Sequence, residues 1–94
     1  MDYILMKEEA ETFVVGNLLW ERIECDFSKP YAKRTACEHL TRRYLSAAQY
    51  LLDCRPDLAL TWPLILVDYD QGYVDIKAKI VENTGGNDVV GEPK

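Results

Sequence analysis

Hydrophobic and polar positions along this chain fall into three rhythms, and each predicts a different element. Between residues 29 and 54 the apolar positions recur every three to four residues. Ala36, Leu40, Tyr44, Ala47, Leu51 and Cys54 share one stripe, with Cys37 and Ala48 at its margin, while Arg34, Glu38, Arg42, Gln49 and Asp53 lie opposite. That period predicts an amphipathic helix over about 29–54, laid with one face on a core. Ser28 suits its N-cap, with Pro30 in the first turn, where a missing N–H is tolerated. Alternatively Thr35 and Glu38 form a capping box and the helix starts later. Pro56 stops it.

Residues 64–82 alternate instead. Leu64, Leu66, Val74, Ile76, Ala78 and Ile80 interleave with Tyr73, Asp75, Lys77 and Lys79. This predicts a hairpin closed by a three-residue loop, Asp70-Gln71-Gly72, with the glycine in the left-handed region. Pro63 precedes the first strand, at a place where a strand tolerates proline.

Residues 10–27 admit two readings. Ala10, Phe13, Val14, Asn17 and Trp20 keep helical spacing, although apolar residues wrap most of the way round such a helix. Thr12, Val14 and Val15 favour a strand, and Gly16-Asn17 between two apolar runs suits a tight turn. A hairpin would pair Val15 with Leu18, Phe13 with Trp20 and Glu11 with Arg22, an aromatic and an opposite-charge pair among them. The hairpin is the preferred reading. Tyr3–Met6 fits either a short added strand or the start of a helix through Glu11.

The expected architecture is an α+β domain: an antiparallel sheet of two hairpins (about 10–27 and 64–82) packed on one amphipathic helix (about 29–54). Residues 1–82 form the single domain, and residues 83–94 have little to bury and form a flexible tail. At 94 residues the core is small. The longest apolar stretches, Phe13–Trp20 and Leu58–Val67, are far short of the roughly 20 residues that span a bilayer. With acids following Met1 and no basic leader, the chain reads as cytoplasmic.

Charge changes the picture, because it is sorted into blocks. Residues 1–27 carry a net −5, residues 28–55 a net +4 and residues 56–94 a net −4, for −5 overall. The basic block invites a nucleic-acid reading. Against it, Arg34 and Arg42 flank Glu38 at helical i±4 spacing, the chain is acidic overall, and no RNP-like, zinc-finger or helix-turn-helix signature is present. The acidic blocks can neutralise the basic one within the fold, or present an acidic surface to a basic partner.

Candidate chemistry is sparse. Cys37 and His39 lie two positions apart on a helix, about 200° round the axis, and cannot chelate one ion together. Cys25 and Cys54 belong to other segments, and the odd cysteine count fits free thiols rather than a disulfide framework. No nucleophile has a base and an orienting group fixed beside it. The sequence therefore predicts no catalytic, cofactor-binding or metal-ligating residues.

What remains is acidic and aromatic. Asp68, Asp70, Tyr73 and Asp75 gather round the second hairpin's turn, and Glu24 and Asp26 end the first hairpin. Carboxylates interleaved with tyrosine suit a lysine- and arginine-rich protein surface, where charge steers and the ring anchors. The expected function is a small, acidic, non-enzymatic protein-binding module that engages a basic protein, in the manner of an inhibitor, immunity protein or antitoxin. The alternative is a homo-oligomeric structural or chaperone-like subunit, such as a homodimer. Both faces of the N-terminal hairpin would be apolar, Phe13, Val15, Leu18 and Trp20 on one and Val14, Leu19, Ile23, Cys25 and Phe27 on the other, and the subunit would associate through this two-sided hairpin, with Val14, Leu19, Trp20 and Ile23 at the interface.

Overall fold

The computed structural model describes residues 7–83. Along the chain they form α1 (Lys7–Gly16), β1 (Leu18–Glu24), α2 (Ala32–Cys54), β2 (Leu58–Leu60), β3 (Leu64–Asp68) and β4 (Tyr73–Glu82). This is a small α+β domain: an antiparallel sheet packed with the long helix α2 and the short helix α1. Of the expected tail 83–94 only Asn83 is described, and it is tied to the domain, its N–H donating to the Asp57 carbonyl at 2.9 Å and its Nδ2 to the Pro56 carbonyl at 3.2 Å; the rest of that segment and the alternatives for Tyr3–Met6 fall outside the described residues.

β4 organises the sheet. β1 pairs along one side of it, Leu18 opposite Lys79 through Glu24 opposite Tyr73. On the other side β3 runs from Leu64 opposite Lys77 to Asp68 opposite Tyr73, and β2 pairs Leu58–Leu60 with Glu82–Ile80. β2 and β3 therefore lie end to end along one flank of β4. Thr61, Trp62 and Pro63 span the same stretch as Ala78 and Lys79, which is a bulge. Thr61 repairs the ladder there: its N–H donates to the Lys79 carbonyl and its Oγ1 accepts the Lys79 N–H, both at 2.9 Å. Its own carbonyl accepts the hydroxyl of Tyr44, 2.9 Å away, so the phenol on the buried helix face has its partner.

The core forms where the helical and strand periods meet. Ala36, Leu40, Tyr44, Ala47 and Leu51 of α2 face Val74, Ile76, Ala78 and Ile80 of β4, together with Leu19 and Leu60. The predicted helical stripe holds over these five positions, but Cys54, at the last turn, is exposed. The N-terminus also differs from expectation. Ser28 caps nothing; its N–H and hydroxyl both donate to Asp26 Oδ1, at 3.1 and 2.6 Å, in an Asx turn that competes with helix. α2 begins at Ala32, with Tyr31 preceding it and no side-chain cap.

The N-terminal hairpin gives way to a helix and one strand. Ala10 is buried, and Phe13 and Val14 pack beside it at i+3 and i+4, whereas Val15 is left exposed. Gly16-Asn17 is the helix stop rather than a hairpin turn. Asn17 sits at φ +59° and donates its N–H to the Val14 carbonyl, a left-handed C-terminal cap of the kind asparagine tolerates. The strand partner of β1 is thus β4, not residues 10–15, and Arg22 finds Asp75 instead of Glu11.

A one-residue difference at the second hairpin has larger consequences. The turn spans Tyr69–Gly72 rather than three residues. Asp68 holds it, accepting N–H bonds from Asp70 and Gln71 on its carboxylate (3.1 and 2.9 Å) and from Gly72 on its carbonyl (2.9 Å). Gly72 takes φ +80°, as expected. Shifting the register by one residue turns every side chain of β3 over. Ile65 and Val67, not Leu64 and Leu66, share the helix-covered face with Ile76 and Val74.

Candidate functional site

The helices cover one face of the sheet. Among the described residues nothing covers the other, and the strand registers arrange it in rows. At the turn end Glu24, Tyr73 and Asp68 lie side by side across three strands; next come Arg22, Asp75 and Leu66; then Trp20, Lys77 and Leu64. Carboxylates thus crowd one end and apolar side chains the other. Trp20 is 48% exposed, Leu64 56% and Leu66 42%, and Trp20 and Leu66 line a shallow depression of about 640 Å³ together with Arg22, Asp68, Asp75 and Lys77.

Asp75 is the pivot of this face. It is only 6% exposed, and its carboxylate accepts three bonds: from Arg22 Nε at 2.9 Å, Arg22 Nη2 at 3.1 Å and Trp20 Nε1 at 3.0 Å. The guanidinium, and after it the indole N–H, hold the Asp75 carboxyl below its ordinary value against the opposing cost of burial. Arg22 in turn lies 4.5 Å over the Tyr73 ring, and Lys77 Nζ lies 4.6 Å over Trp20. The indole is therefore fixed by its own hydrogen bond and by a cation on its face, while much of it stays open to solvent.

The six residues expected to contact a partner fall at one end of the domain, with differing roles. Glu24, Tyr73 and Asp68 form the end row. Asp26 and Asp70 sit in the two adjoining loops, which meet where Cys25 N–H donates to the Gly72 carbonyl at 2.8 Å. Ser28 holds the Asp26 carboxyl below its usual range, so it stays ionised, and both Asp26 and Asp70 are exposed. Asp75 belongs to the same face but is shielded and neutralised by Arg22, so it positions Trp20 and Arg22 rather than offering a free charge.

The four residues expected at an oligomer interface do not form one surface. Leu19 is 0% exposed in the core, and Ile23 and Val14 pack against that core from β1 and α1. Only Trp20 is on the open face. The two-sided hairpin that would have joined them is absent because its first strand is α1.

The basic block is largely absorbed internally. Arg43 reaches both Glu9 of α1 and Glu21 of β1, at 3.2 Å each, which ties α1, α2 and β1 together. Arg34 meets Glu38 at 3.4 Å, Arg55 meets Asp57 at 2.9 Å, and Lys33 Nζ donates to the Tyr69 hydroxyl at 2.9 Å. Among the described residues no group of three or more histidine, cysteine, aspartate or glutamate side chains gathers as metal ligands. Cys25 and Cys37 are half-buried free thiols. No described helix is long and apolar enough to cross a membrane.

Sequence reasoning missed the Trp20–Arg22–Asp75 network and the exposure of Leu64 and Leu66. One signal for the first was present: Arg22 is the only base between residues 8 and 28, alone among acids in an apolar strand. Compared with known protein families, curated proteins and solved structures, the chain matches none of them.

Proposed function

We propose that this protein is a non-enzymatic binding module that engages a basic protein partner through the uncovered face of its sheet, in the manner of an inhibitor, immunity protein or antitoxin. The observation that supports the reading is the sorting of that face. Exposed Trp20 and Leu66 provide an apolar centre, and Glu24, Asp68, Asp26 and Asp70 provide a carboxylate rim at one end. An apolar centre with a charged rim is the anatomy of a protein interface: the aromatic anchor supplies affinity, and the rim sets encounter rate and orientation. The net charge of −5 draws a cationic partner from a distance.

A pull-down from cell extract with the full chain as bait tests this. Basic proteins should be retained at low salt and released at about 0.5 M salt, where the screening length falls to a few ångströms. A Glu24→Lys/Asp70→Lys double variant should lose them, and Trp20→Ser should lose them even at low salt. Retention of acidic proteins, or retention unchanged in both variants, would refute the reading.

A further inference from the structure

The two edges of the sheet are protected unequally. β1 ends one side with Glu21, Arg22 and Glu24 along it, charges that discourage a further strand. β3 ends the other side and pairs only with β4. Its residues Leu64-Ile65-Leu66-Val67 carry no charge, glycine or proline, and apolar groups are exposed on both of its faces, Leu64 and Leu66 on one and Ile65, 37% exposed, on the other. α2 packs chiefly on β1, β2 and β4, and no described strand lies on the outer side of β3.

The backbone of β3 shows which groups lie free. Lys79 exchanges its N–H and carbonyl bonds with Thr61, on the β2–β3 flank of β4, whereas Ile80 donates to Asn17 on the β1 flank. By the alternation of an antiparallel ladder, Lys77, Asp75 and Tyr73 also turn their backbone groups towards β3, where they meet Leu64, Leu66 and Asp68. Ile65 and Val67 therefore direct their N–H and carbonyl groups outwards, and no described residue pairs with them.

We propose that two copies of this chain associate along their β3 edges, antiparallel about a two-fold axis at Leu66, to make one continuous sheet. This register sets Ile65 opposite Val67 of the partner subunit, so that every outward backbone group of these two residues is satisfied in both copies. It sets Leu66 against the partner's Leu66 on the open face. It also sets Asp68 opposite the partner's Leu64, beyond which lies the partner's Lys77. Strands are spaced about 4.8 Å apart, so Lys77 stands two strands from the acid; its ammonium lies over Trp20 within its own copy and attracts the carboxylate across that distance without a direct bond. The carboxylate end of one copy thus faces the lysine row of the other, twice by symmetry, and the interface is self-complementary in backbone, apolar contact and charge. The pairing is independent of any basic partner, since it uses the sheet edge and joins the two open faces side by side.

Light scattering on the full chain over about a hundredfold dilution series tests the proposal, because a dimer must dissociate on dilution. The expected mass at high concentration is twice the 10.8 kDa of one chain. Ile65→Pro, which removes an outward N–H without removing a bond to β4, and Leu66→Lys, which sets two ammonium groups across the axis, should each reduce it to one chain. Hydrogen exchange on the unaltered protein gives a readout that needs no variant to fold. The Ile65 and Val67 amides should be protected at high concentration and lose that protection on dilution. A chain that is monomeric at every concentration, a dimer that survives both substitutions, or amides protected equally at all concentrations would overturn the proposal.

Discussion

β4 has two faces of equal length and opposite fate. On one, Val74, Ile76, Ala78 and Ile80 are buried beneath α2; on the other, Tyr73, Asp75, Lys77 and Lys79 share a surface with Trp20, Arg22 and Leu66. Asp75 is nearly as inaccessible as the valine before it, yet it is shielded by its neighbours in the sheet rather than by a helix. The covered face derives its cohesion from removal of apolar surface, which is non-directional. The open face derives its order from directional bonds among Asp75, Arg22 and Trp20, and so can hold an aromatic ring in place without burying it.

Substitutions that break one face and spare the other make the contrast quantitative. The largest effect belongs to the covered face. Leu40→Ala or Ile76→Ala should destabilise by about 2–5 kcal/mol in urea unfolding, through lost transfer energy and the cavity left behind. In so small a domain that is a large part of the total stability.

On the open face, Asp75→Asn should cost about 1–2 kcal/mol at neutral pH, towards the low end because Arg22 is half exposed and screened. Its pH dependence separates it from a packing defect. The folded-state value of Asp75 is depressed below 3.8, since Arg22 and Trp20 favour the ionised form. Its contribution is therefore complete above that value and is lost as the pH falls through the depressed one. Unfolding curves of the variant and the parent should converge on acidification, and a gap that stayed constant would contradict the ion pair.

Gly72→Ala should cost about 1 kcal/mol in the same assay. A side chain is strained at φ +80°, and its Cβ would stand 3.3 Å from the Cys25 carbonyl oxygen, where the two acidic loops meet. The smallest effect is expected for Leu64→Thr, which should stay within about 0.5 kcal/mol at low protein concentration, because this open-face leucine is already largely in solvent.

The long helix was legible because its apolar stripe repeats over many turns, enough to outweigh the poor cap around Ser28. β4 was legible for the same reason in period two. Residues 10–17 were not, because a short segment rich in β-branched residues satisfies both periods. There the decision rested on whether Asn17 closed a turn or capped a helix. The acidic cluster at the turn is legible in the sequence, yet Asp75, one row in from the end, is bonded by Arg22 and Trp20 rather than offered to a partner. Nothing in the local sequence shows that Arg22, 53 positions away, bonds to it.

By itself, then, the sequence determined the α+β class, the buried stripe of α2, the inward face of β4 and the acidic character of the turn end, all of which follow from periodicity and composition within one segment. Tertiary structure decided which strand pairs with β1, which face of β3 meets the helix, and which edge is left unpaired. Those outcomes depend on register. A one-residue change in the Tyr69–Gly72 turn alters no local preference, yet it exchanges the two faces of a strand.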